Sequence, residues 1–392
     1  MLIKEQTKKN LNIALILISY ICCFVYGVNG TARGIIYPDL LKEFHLSNTE
    51  GSLFFSLASV FGLANNLLTF KWYPRLGPLK AMSLFSAMFA ISIFIIAFAP
   101  NFMITLIGSS ILGFSMGGTG LLCNTLAVES TSDLSLRRQI LSGLHAFYGI
   151  GSCLSPLIVN VLVQFGFDWR MTFAIMGIVP VLATLQAIQT KSESLSHEWK
   201  SAFVDHKPWR RTLWYASFCT LYVATETLLS TRLVLYGRSV LNYEIEPAGF
   251  LLSSFFLTFT FGRVSFALIR LKHSNFAILM SSAILSVIAF LIGLYVHPIG
   301  FALCGLGCSV FYPCAMSLLS GELGQATAFT MSWCQTAQSL GAILMHSSVG
   351  YLADRVGLQN AMLVGPVLLV IMIGVLIWGF PKPDGLLRRL EA

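Results

Sequence analysis

Apolar residues gather into twelve runs, each close to or above the roughly 20 residues that a helix needs to cross a bilayer. They lie at roughly 11–36, 49–70, 79–99, 103–129, 139–165, 171–189, 212–236, 247–270, 275–296, 298–320, 326–353 and 360–380. The breaks between them are short and polar, with one exception. Gln189 to Arg211 is a long polar stretch that divides the runs six and six. The pattern predicts an all-α polytopic membrane protein with twelve transmembrane helices. Two pseudo-symmetric six-helix bundles, about 1–190 and 212–392, are joined by a linker at 191–211. Met1 to Asn10 is short and basic, and the run after it is too long for the apolar core of a cleavable signal.

Composition agrees: 56% of residues are hydrophobic and only 11% charged, against about 25% charged in a soluble domain. The net charge of +8 would suggest nucleic acid if it were spread over one face, but it sits in alternate loops. Lys4, Lys8 and Lys9 precede the first run, and Lys71, Arg75 and Lys80 follow the second. Arg137 and Arg138 follow the fourth, and Lys191, Lys200, Lys207, Arg210 and Arg211 fill the centre. Arg263, Arg270 and Lys272 follow the eighth, and Lys382, Arg388 and Arg389 end the chain. The positive-inside rule then places both termini in the cytoplasm, and no nucleic-acid partner is needed to explain the basic charge. The nine cysteines all fall in apolar runs without metal-site spacing. They read as packing residues, and neither a metal nor a cofactor is expected.

One stretch departs from the apolar pattern. Leu221 to Arg232 lies inside the seventh run yet carries Glu226 and Arg232. An ionisable group at the bilayer centre costs roughly 2.5–3.5 kcal/mol on insertion scales. Two in one span point to a wet cavity lined by protein. The halves also repeat weakly: Leu144 to Gly151 in the fifth run aligns with Cys334 to Gly341 in the eleventh, matching His145 with Gln335 and Tyr148 with Gln338. Gly113, Gly117, Gly118 and Gly120 in the fourth run, and Gly149, Gly151, Ser152 and Ser155 in the fifth, would let helices approach closely.

Phe167-Asp168-Trp169-Arg170-Met171-Thr172-Phe173 resembles the WR-x-x-F signature of the major facilitator superfamily, and Phe261-Gly262-Arg263 resembles its Gly-Arg at the end of helix eight. With the six-and-six layout, the whole chain resembles that family. The resemblance implies the major facilitator fold, with a site near the midplane between the halves. Within the family the chain looks like the fucose:proton symporter branch of sugar transporters. Tyr222-Val223-x-x-Glu226, Asn124, Leu144 to Gly151 with Pro156, Gly305, Phe311-Tyr312-Pro313 and Ser317 carry that likeness. Two acids of that branch are missing; they would fall near Arg33-Gly34 and Gly120. The family's loop signature after helix two is eroded to Lys71 to Gly77. Gly350 to Gly357 imitates it at the outer end of helix eleven, where it does not read as the same gate.

Arg33 and Arg232 close the first and seventh helices as near symmetry mates, eighteen and seventeen positions before Gly51 and Gly249. In the superfamily's organophosphate antiporters, paired arginines on these helices grip an anion, and a guanidinium forks well onto carboxylate or phosphate. The competing reading has both reaching the outer interface, snorkelling or gating with Asp39, Glu244 or Glu246. Glu226 is either the proton carrier of a symporter or half of a fixed ion pair with an arginine. It lies six residues and about 120° around the helix from Arg232, so the two do not simply pair along it. His145 could relay protons or donate to solute, with Tyr148 a turn away. Tyr26, Asn29, Asn65, Asn124, Gln335 and Gln338 either staple helices or line a polar site. Tyr312 and Trp333 are candidate stacking platforms for a sugar ring, and His346 and Glu129 look peripheral. Arg263, Asp168 and Arg170 read as gating or structural.

The leading reading is a monomeric secondary transporter in the cytoplasmic (inner) membrane. It moves a small polar solute (a sugar, sugar derivative or organic anion) by alternating access with protons as coupling ion. Uptake is inferred by analogy with the sugar symporters. One alternative is an efflux carrier for a drug-like or siderophore-like amphipathic compound, against which the missing helix-one acid counts. The other is a solute receptor with a transporter fold, which would usually add a large cytoplasmic domain. An enzyme finds no nucleophile–base pair, metal spacing or phosphate loop to stand on.

Overall fold

The computed structural model describes residues 11–131, 133–190, 208–269, 274–323 and 326–379. Most of the expected linker, and with it several of the lysines and arginines on which the orientation rests, lies outside the described residues. Fourteen helices follow one another among the described residues. They are α1 (Ile13–Glu43), α2 (Asn48–Ala97), α3 (Phe102–Glu129), α4 (Leu134–Gln164), α5 (Trp169–Met176), α6 (Ile178–Gln189), α7 (Trp209–Ser239) and α8 (Ile245–Leu268). Then come α9 (Asn275–Tyr295), α10 (Ile299–Ser309), α11 (Phe311–Leu323), α12 (Thr327–Val356), α13 (Leu358–Ala361) and α14 (Val364–Gly379).

These map onto the twelve apolar runs with instructive differences. The second and third runs form one helical stretch, α2, bent at Gly77 (φ 67°, ψ 170°) between Pro74 and Pro78. The glycine supplies a backbone conformation closed to other residues, so the chain turns without a separate loop. Conversely, the sixth, tenth and twelfth runs are each broken in two, at Gly177, at Val310 ahead of Pro313, and around Met362–Leu363. α7 begins at Trp209, which places Arg210 and Arg211 on its first turn instead of in the linker. Among the described residues, ten stretches are long and apolar enough to cross a membrane. α2 holds two of the expected spans, and α12 falls short because it carries glutamines, a histidine and an aspartate. The chain is an all-α polytopic membrane protein.

Within the first half, small residues bring backbones together as expected. A Cβ on Gly113 or Gly117 of α3 would collide with the backbone of Ala58 or Gly62 on α2. Ser155 of α4 donates to the Val28 carbonyl on α1 at 2.7 Å. Asn65 is one of the staples, donating to the Phe114 carbonyl at 2.8 Å.

Three seams join the halves. α4 and α8 run antiparallel: Asn160 donates to the Glu246 carbonyl (3.2 Å), and Ser253 to the Cys153 carbonyl (3.1 Å). α2 and α12 mirror them, with Ser56 and Ser347 hydroxyls 3.1 Å apart. α1 and α7 run parallel and cross at Gly34, where a Cβ would strike the Ser230 backbone. Among the described residues the polar contacts across these seams gather towards one end. There the Asp354 carboxylate accepts from the backbone N–H groups of Asn48 (2.9 Å) and Thr49 (2.7 Å) and from both their side chains. Arg238 pairs with Asp39 at 2.6 Å. Asp354 thus completes the N-terminus of a helix in the other half. The imitation signature, which did not read as the gate after helix two, contributes a contact between the halves at this end through Asp354.

Candidate solute site between the two halves

Below the sealed end the seams part around a cavity of about 420 Å³. Each expected site helix contributes. Tyr26 and Arg33 come from α1, Asn124 from α3, His145 and Tyr148 from α4, Glu226 from α7, Arg263 from α8, Tyr312 from α11, and Gln335 and Gln338 from α12. Sequence reasoning did not single out Phe55, Ser59 and Asn66 of α2, or Thr227 and Ser230 of α7, which also line it.

The sequence reading scattered these residues over seven runs; helix geometry brings them together. Gln335, Gln338, Ala342 and His346 succeed one another at three- and four-residue spacing and form one cavity-facing stripe of α12. That spacing was the available signal for His346, which is not peripheral. It is buried and stacks on the Phe55 ring at 5.1 Å. Tyr26 and Tyr148 meet across α1 and α4 with ring centroids 5.9 Å apart. Asn124 spends one amide N–H on the Gly120 carbonyl of its own helix at 2.9 Å.

The charges fall into two groups. In the first, Glu226 faces Arg263 at 3.9 Å, the long limit of an ion pair. Arg263 also lies 4.0 Å over the Phe259 ring. Arg263 was expected at the end of helix eight and counted among loop charges. It lies inside α8, five residues before its end at Leu268 and within the run expected at 247–270. The arginine that meets Glu226 is therefore Arg263, not Arg232. Tyr222, a turn before Glu226, holds α7 to α10 by donating to the Cys308 carbonyl at 3.0 Å and stacks on Phe311.

The second group surrounds Phe55 near the sealed end. Arg33 lies 5.8 Å from the ring centroid and Arg232 4.9 Å, with Arg232 also 4.5 Å over Tyr37. Arg232 is 1% exposed and does not line the cavity. The close crossing of α7 over α1 carries it behind Phe55.

Three other residues depart from expectation. Asn29 is fully buried and donates to the Val25 carbonyl on its own helix at 3.2 Å, so its short amide stays out of the cavity that the longer Arg33 reaches. Trp333 packs on Trp209 at 5.1 Å away from the cavity, 43% exposed. Asp168 caps α5 by accepting from the Met171 N–H at 2.8 Å. Arg170 pairs with Glu43 (2.7 Å) and donates to the Ala97 carbonyl (2.8 Å). The WR-x-x-F stretch therefore ties together elements of one half and makes no gate between halves. Glu129, on α3 within the first half, accepts from Tyr73 at 3.4 Å.

The family model described as Major Facilitator Superfamily matches residues 19–346. The chain belongs to the major facilitator superfamily. As a member it is a multi-pass membrane transport protein and not an enzyme. It is 22% identical to a protein named TsgA homolog from Buchnera aphidicola subsp. Baizongia pistaciae, over 92% of this chain and 94% of that protein. Among solved structures it is similar to the nucleoside transporter NupG (TM-score 0.74, 14% identity, 95% of this chain and 100% of that one). It is also similar to FucP in an outward conformation (TM-score 0.65, 16% identity, 94% and 99%). At such identities these likenesses concern the major facilitator fold.

Proposed function

We propose that this major facilitator protein is a secondary transporter that carries a small polar solute by alternating access, coupled to protons through Glu226. The observation that carries the reading is a cavity lined by polar side chains from both halves, with the polar contacts between halves collected at one end. Rocking about that cavity would break the Asp354 and Arg238 contacts and close the opposite end. On the lysine and arginine pattern, both termini and the end of the cavity opposite these contacts would lie on the cytoplasmic side, which on this reading makes the form described the inward-facing one. In a bacterium the site of action would be the inner membrane. NupG is named a nucleoside transporter, and FucP a fucose:proton symporter in a second structure. Those names favour a polar solute over an amphipathic drug.

Glu226 suits proton coupling because its partner is loose and charged. Protonation would release Arg263, and deprotonation would recapture it, so the charge state of the pair changes within the cavity. In proteoliposomes, Glu226→Gln should retain solute counterflow and lose accumulation driven by a pH gradient. Loss of counterflow as well would leave Glu226 a structural role only.

A further inference from the structure

Two of the nine cysteines, Cys23 on α1 and Cys123 on α3, line the cavity. α1 and α3 run antiparallel, and two glycines fix their register. A Cβ on Gly120 would lie 3.7 Å from the Tyr26 ring, and one on Gly30 would lie 3.5 Å from Met116 Cε. Four residues on along α1 thus match four residues back along α3. Three residues back from Tyr26 and three on from Gly120 bring Cys23 opposite Cys123. Their side chains interact with one another, and Tyr26 lies beside both. Cys22, next in the chain, takes no part: it is buried, with its sulfur 3.7 Å from the Ser86 hydroxyl.

Both thiols are free. A thiolate is a soft ligand, suited to Cu(I) and not to magnesium or calcium. Zinc in a protein takes four ligands, or three and water. No group of three or more His, Cys, Asp and Glu side chains among the described residues is placed to hold a metal. Cu(I) is satisfied by two sulfurs. Its binding breaks both S–H bonds, forms two Cu–S bonds and releases both protons to the cavity, with no change of oxidation state. The product carries one negative charge. The charged side chains of the cavity wall, Arg33 and Arg263 against Glu226, favour that charge.

We infer that Cys23 and Cys123 form a two-sulfur site for a soft monovalent cation of the Cu(I) type, set in the cavity wall beside Tyr26. The site does not depend on which solute the cavity carries. Cys219 and Cys334 also interact, across α7 and α12, but they are buried and do not line the cavity. They lack the open approach that the first pair has, and so serve as its internal control.

The test uses the purified full chain, reduced and then freed of reductant without oxygen. Cu(I) is offered as its coloured bicinchoninate complex, and copper withdrawn by the protein is read as loss of colour. Wild type should withdraw one equivalent more than Cys23→Ser or Cys123→Ser. Each single variant keeps one thiolate, and without the chelate its affinity at this place should fall about a hundred-fold or more. Cys219→Ser/Cys334→Ser should keep the equivalent. A second reading needs no variant. N-ethylmaleimide labelling of Cys23 in wild type, located by peptide mass spectrometry, should be lost once one equivalent of Cu(I) is bound. The inference is overturned if wild type withdraws no copper, if either single serine variant withdraws as much as wild type, or if Cys23 is still labelled with copper bound.

Discussion

At the residue scale, the deciding feature is which charges share a partner. Glu226 and Arg263 share one another at 3.9 Å in the cavity wall. Removing one partner of a buried pair costs about 3–5 kcal/mol, because the other is left uncompensated, whereas removing both costs far less. Arg263→Gln should therefore lower the unfolding temperature more than the double variant with Glu226→Gln, as followed by tryptophan fluorescence on heating. Equal losses would mean that the two groups are not coupled. Polar residues inside apolar runs were legible as site candidates, since burying them without purpose is costly. Tyr26, Asn124, His145, Tyr148, Glu226, Tyr312, Gln335 and Gln338 all line the cavity. What remained illegible was rotation at helix crossings. Arg232 and Asn29 do not line the cavity, and a sequence does not record how closely α1 and α7 approach at Gly34.

At the element scale, the bend of α2 shows how local rules produce a large feature. Gly77 adopts φ 67° and ψ 170° between two prolines, a region open to essentially no residue but glycine. Gly77→Ala should cost about 1–3 kcal/mol and lower the melting temperature. An unchanged melt would show that the bend relaxes without strain. The twelve runs were legible because a 20-residue apolar stretch is a strong signal. The internal breaks of α5–α6, α10–α11 and α13–α14 were not, because apolar residues continue across them and the runs keep their hydropathy.

At the scale of the whole molecule, the antiparallel α2–α12 seam and its α4–α8 counterpart set how far the halves can part. Ser56 and Ser347 hydroxyls stand 3.1 Å apart across the first seam. A Ser56→Cys/Ser347→Cys pair, placed in a background without the native cysteines, should form a disulfide on mild oxidation. It should arrest transport, and a reducing agent should restore it. Full transport in the oxidised form would show that this seam does not open. The feature at the end of that seam has a consequence of its own. Asp354 finishes the first turn of a helix it does not belong to, using four hydrogen bonds. When it withdraws, water can take its place on the same N–H and hydroxyl groups almost bond for bond. On the proposed alternating-access reading, parting of this end would therefore carry little net hydrogen-bond cost at Asp354 itself, an exchange of carboxylate for solvent.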